Sequence, residues 1–124
     1  MRAAPNIAER TFAFAVSVVH FCKILDSKPG INRTLGQQLL RAGTSIGANL
    51  EEAQAAQSSA DFVSKCSISL KEARETIYWL RLLQATGQCT IDDIRHLTRE
   101  ADEISRVLGA IVVRTKNRRR ATTI

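Results

Sequence analysis

Two histidines, three cysteines and twelve carboxylates are the side chains in this 124-residue chain able to hold a metal, attack a substrate or shuttle a proton. Their spacing does not support any of these. A zinc site draws on about four N or S ligands, yet His20 and His96 stand alone, with no second His or Cys at ligand spacing. Glu51 with Glu52, and Glu72 with Glu75, are carboxylate pairs of the kind used in acid–base or di-metal chemistry. A di-iron bundle takes a Glu-x-x-His motif from each of two helices, and the chain contains none. These carboxylates read instead as ion-pair partners. Cys22, Cys66 and Cys89 are odd in number and lack metal spacing, which suits reduced cytosolic thiols; Cys22 and Cys66 fall on apolar stripes. Gly43-x-x-x-Gly47 follows no strand, so it reads as a packing motif rather than a phosphate loop. No catalytic constellation, metal site or cofactor is expected, and the chain reads as a non-enzyme.

The cations tell more. The formal net charge is +6, but residues 1–103 hold twelve Lys/Arg and twelve Asp/Glu and sum to zero. The excess lies in residues 104–124, in Arg106, Arg114, Lys116, Arg118, Arg119 and Arg120, where there is no acid. Such a cluster attracts polyanions, nucleic acid first; the plainer alternative is a solvated end that aids solubility. A second row, Lys71, Arg74, Tyr78 and Arg81, combines three cations with an aromatic ring at helical spacing. It is either a phosphate-binding face or a solvated face with local ion pairs.

Helices must position these groups, because apolar residues recur every three or four positions and never alternate as in a strand. A first helix over about 6–25 carries the stripe Ile7, Thr11, Phe14, Val18, Phe21, Leu25. Beside it runs a second apolar stripe, Phe12, Ala15, Val19 and Cys22. A surface helix needs only one such face, so this one either lies deep in a bundle or meets another subunit; we assign it to the oligomer interface. Pro29-Gly30 makes a turn, and Asn32 is placed to N-cap the next helix.

The second helix, about 33–55, has the stripe Leu35, Leu39, Ala42, Ile46, Leu50, Ala53. Gly43 and Gly47 inside it each cost about 1 kcal/mol of helix propensity relative to Ala, which close approach of a neighbour would justify. Arg41, Ser45, Asn49 and Glu52 form a polar seam. The third helix, about 60–85, opens at a Ser58–Asp61 capping box, and the fourth, about 91–116, at Thr90–Asp93. The third brings Glu72 and Glu75 level with Arg41 if the two helices run antiparallel, predicting a buried or half-buried ion pair. Short turns between long helices make an all-α, up-down-up-down antiparallel four-helix bundle, one domain over 1–116. Residues 117–124 read as a basic, flexible tail. No apolar run approaches the roughly 20 residues that span a membrane, and the N-terminus has no signal-peptide core, so a cytoplasmic protein is expected.

RAGTSIGANLEEA (Arg41 to Ala53) and DFVSKCSISLKEARETIYWLRLL (Asp61 to Leu83) resemble the bacterial four-helix bundle proteins encoded by intervening sequences in 23S ribosomal RNA genes. That group includes the accessory variability determinant of diversity-generating retroelements. With the lengths and order of the outer helices, the likeness spans about residues 6–116. It implies a cytosolic homo-oligomer, a pentamer of bundles, and a nucleic-acid role that in the retroelement branch means assisting a reverse transcriptase. The basic C-terminal end is no part of the matching motifs. Two functions follow as expectations: an oligomeric protein that binds RNA or DNA through basic surface, or an interaction scaffold for an enzyme such as a reverse transcriptase, without nucleic-acid contact of its own.

Overall fold

In the computed structural model, which describes residues 6–123, four helices follow one another: α1 (Ile7–Asp26), α2 (Ile31–Gln54), α3 (Ser59–Ala85) and α4 (Ile91–Thr123). Residues 1–5 of the expected bundle domain, and Ile124 of the expected tail, lie outside the described residues. Each helix starts where local chemistry dictates. At α1, Asn6 Oδ1 accepts from the Glu9 N–H while Glu9 reaches back to the Asn6 N–H. Thr90 and Asp93 make the same reciprocal pair before α4 at 2.8 and 3.2 Å, and Ser58 accepts from the Asp61 N–H before α3. These bonds satisfy N–H groups that a helix leaves orphaned.

The start of α2 differs from the sequence expectation. Gly30, at φ +127°, takes the position before the helix, and Asn32 lies inside the first turn. Its amide donates back to the carbonyls of Leu25 and Lys28. Only glycine adopts that φ without strain, so the chain enters α2 two residues early and Asn32 stitches the end of α1 instead of capping α2.

The far end of α4 differs too. The helix continues through Asn117 to Thr123, where a flexible tail was expected. No Gly or Pro follows Gly109, Arg and Lys are good helix formers, and cations suit the negative end of the helix dipole.

Neighbours in sequence are neighbours in space, α1 also packs beside α4, and the backbones of the diagonal pairs stay farther apart among the described residues. The result is an antiparallel ring of four helices. Phe14, Val18, Leu39, Ile46, Leu50, Cys66, Leu80, Leu83, Ile104 and Leu108 fill its axis, nearly or wholly shielded from water. Each such large aliphatic side chain contributes about 1.5–3 kcal/mol. The glycines of α2 explain why α1 sits close. A Cβ on Gly43 would stand 2.9 Å from Val18 Cγ1, and one on Gly47 would stand 3.3 Å from Thr11 Oγ1. The α1–α4 seam is the sparsest of the four.

Candidate nucleic-acid interface and assembly face

The α4 end presents Arg114, Lys116, Arg118, Arg119 and Arg120, all exposed. At 100° per residue, Arg114 and Arg118 share one side, Lys116 and Arg120 the opposite one, and Arg119 lies between. Val112 is the last buried residue of the helix. Beyond it, α4 is a basic rod with charge on every side and no acid of its own.

The α3 row is also exposed: Lys71, Arg74, Tyr78 and Arg81 line the outward face of that helix. The nearest carboxylates point elsewhere. Glu72 and Glu75 turn toward α2, where Arg41 pairs with both, at 3.3 Å to Glu72 and in close contact with Glu75. Arg74 and Arg81 have no ion-pair partner among the described residues. Tyr78 is 53% exposed and meets Trp79 edge-on, with ring centroids 5.1 Å apart. Trp79 in turn donates its Nε1–H to Glu75 at 3.0 Å. That bond, then the one from Arg41, holds the Glu75 carboxyl below its usual range.

Arg41 is half-exposed and bridges both glutamates, where a pair with one of them was expected. The other members of the polar seam look inward to their own helix: Ser45 donates to the Arg41 carbonyl and Asn49 to the Ser45 carbonyl. Lys65 pairs with Glu52 at 3.0 Å nearer the turn.

The proposed assembly face divides. Phe12 is 69% and Val19 39% exposed, with Ala15 half-buried between them. Val16 joins them on the outer side. Cys22 does not: it is buried, and its thiol donates to the Gly36 carbonyl at 3.4 Å. Gly36, without a side chain, leaves room for Leu25, whose Cδ1 would stand 3.3 Å from a Cβ there. Burial pushes the Cys22 thiol up to about 11, so it stays protonated at neutral pH. The open apolar surface continues onto α2 instead. Val19 and Leu40 share one hollow, with Cys22 at its buried side, and Phe12, Ala15, Thr44 and Ala48 line another.

Two polar links had no counterpart in the sequence reading. Arg10 grips Glu100 through two bonds of 2.7 and 3.0 Å across the α1–α4 seam, with Glu103 at 3.8 Å. Arg10 holds the Glu100 carboxyl below its usual range. Ser69, fully buried, donates across to the Ile46 carbonyl of α2 at 2.7 Å. Helical periodicity marks Ser69 only as a core position, and nothing local pairs residues 10 and 100. His20 and His96 are exposed on separate helices. No cluster of three or more His, Cys, Asp or Glu placed to hold a metal occurs among the described residues. None of their helices is long and apolar enough to cross a membrane.

A ring of four antiparallel helices in chain order defines an all-α, up-down-up-down four-helix bundle protein. The chain belongs to the 23S rRNA-intervening sequence protein family, whose family model matches residues 5–110. It is similar to a solved structure, that of a protein of unknown function from the S23 ribosomal protein family of Bacteroides thetaiotaomicron. The two are 39% identical with a TM-score of 0.80, over 86% of this chain and 98% of that one. No curated protein matches the sequence.

Proposed function

We propose that this chain is a non-enzymatic, homo-oligomeric bundle protein of the cytoplasm that binds RNA or DNA through its basic surface. The observation that carries the reading is the exposed, acid-free helical end of α4, which holds nearly all the excess charge. Self-association is supported by the apolar surface of Phe12, Val16, Val19 and Leu40 and by the pentamer that the family resemblance implies. In a pentamer the basic rod recurs five times, and repetition raises effective concentration, so weak phosphate contacts become useful avidity. No base-reading motif accompanies the α4 cations, so their contribution is indifferent to sequence and strongly screened by salt.

Truncation after Thr115 tests it. The shortened chain keeps every buried residue of α4 but loses Lys116, Arg118, Arg119 and Arg120. It keeps its bundle fold and its number of protomers per assembly, binds RNA and DNA far more weakly, and shows a shallower fall of log affinity with log salt, by about 0.9 per lost contact on duplex DNA. Equal binding by both forms would make the α4 end a solubility device. The apolar hollows between α1 and α2 favour a second reading, a scaffold for an enzyme partner such as a reverse transcriptase. That reading takes over if neither form binds nucleic acid at low salt.

A further inference from the structure

We infer that the outer face of α3 is a single-strand-selective nucleic-acid site, with Tyr78 as the platform for one unstacked base and Lys71, Arg74 and Arg81 on the flanking phosphates. This deepens, and rests on, the nucleic-acid reading above.

The carrying observation is a chain of contacts that ends in an exposed ring. Arg41 on α2 holds Glu75, Glu75 accepts from Trp79 Nε1, and Trp79 braces Tyr78 edge-on. An exposed tyrosine in a merely solvated face has no need of such backing. Here the ring has Trp79 against it while over half of the residue stays open to water. The same links engage the Glu75 carboxylate and offset part of its charge, while Lys71 remains within its electrostatic reach. Tyr78, Arg81, Leu82, Gln84 and Ala85 line an open hollow, which sets apolar surface and an amide able to donate or accept beside the ring.

The dimensions suit a short strand. Lys71 to Arg81 spans ten residues, about 15 Å of helix, which is about four nucleotides at the 3.4 Å rise of a stacked strand. A duplex can use the cations but not the ring, because its bases are already stacked and their faces hidden. An unpaired strand can use both.

The test compares full-length wild type with Tyr78→Ala and Tyr78→Phe on three labelled probes: an oligothymidylate of about 12 nucleotides, within the roughly 4–16 covered by known single-strand sites, an abasic strand of the same length, and a blunt duplex. Wild type should prefer the oligothymidylate to the abasic strand. Tyr78→Ala should weaken oligothymidylate binding by at least about fivefold, the lower end of a base–aromatic stack, and leave the abasic strand and the duplex within about twofold. Tyr78→Phe, which keeps the ring, should match wild type. Circular dichroism should show an unchanged fold, since the side chain is mostly exposed. Equal binding of oligothymidylate and abasic strand by wild type, or a Tyr78→Ala loss of the same size on all three probes, overturns the proposal while leaving polyanion binding in place. Absence of binding to any probe at low salt overturns both this site and the function it rests on.

Discussion

At the scale of single residues, small differences in environment decide large differences in consequence. Gly43 and Gly109 are both helical glycines, and Ala is worth up to about 1 kcal/mol more than Gly at an open helical position. At Gly109 nothing lies within 4 Å of a new Cβ, so Gly109→Ala should raise stability by up to about that amount. At Gly43 the Cβ would press on Val18 at 2.9 Å. Overpacking of this kind costs about 1–3 kcal/mol, so Gly43→Ala should be net destabilising. Paired urea melts check the opposite signs. Arg41 gives a similar contrast. Its side chain is 48% exposed while Glu72 is 18% exposed, so the triad is neither a stranded buried charge nor a free surface pair. Arg41→Ala should cost about 1 kcal/mol, the upper end for exposed pairs, and well short of the 3–5 kcal/mol of a fully buried one. A loss above 3 kcal/mol in the same melts would show that the carboxylates cannot reach water.

Between elements, the sparse α1–α4 seam depends on Arg10 and Glu100. The Glu100 carboxyl is held below its ordinary 4.5 by Arg10. A folded value below the unfolded one means stability that is present above the unfolded pKa and lost as pH falls through the folded one. Wild type should therefore lose thermal stability below about pH 4.5 more steeply than Glu100→Gln, in which only the longer Glu103 contact to Arg10 still titrates. Parallel acid slopes in the two proteins would remove the bridge from the account of how α1 is held. At neutral pH, Arg10→Ala should loosen α1 first, seen as faster amide exchange in α1 than in α3, because α1 has only α2 as its other neighbour.

For the whole molecule, the outer side of α1 and the adjoining hollows on α2 set the expected assembly. Sedimentation of the full chain should give a mass several times the 13.7 kDa protomer. Val19→Glu places a charge on that surface without touching the core, so it should dissociate the assembly while leaving far-UV circular dichroism unchanged. A stable monomer of the wild type at micromolar concentration would remove self-association and leave the apolar hollows to another protein. Cys22, buried beneath Gly36, should resist thiol reagents in both the wild type and the dissociated variant, which separates a core position from an interface position.

Much of this was already written in residue spacing. The number and order of helices follow from apolar periodicity and from caps such as Thr90–Asp93, because a helix face and its first turn are local properties. The pairing of Arg41 with Glu72 and Glu75 was legible because two adjacent antiparallel helices fix which levels meet across one short turn. Tertiary structure decided what depends on which neighbour covers a face. Cys22 and Val19 share a stripe in sequence, yet Cys22 is buried against the Gly36 carbonyl of α2 while Val19 stays open. Arg10 and Glu100 are ninety residues apart, joined only once the ring closes. Helix beyond Lys116 turns on continuity from a packed segment into an exposed one, which apolar periodicity cannot register because that stripe ends at Val112. In the backing of Tyr78, the Trp79 and Glu75 links are local to α3, and Arg41 joins them only where α2 lies alongside.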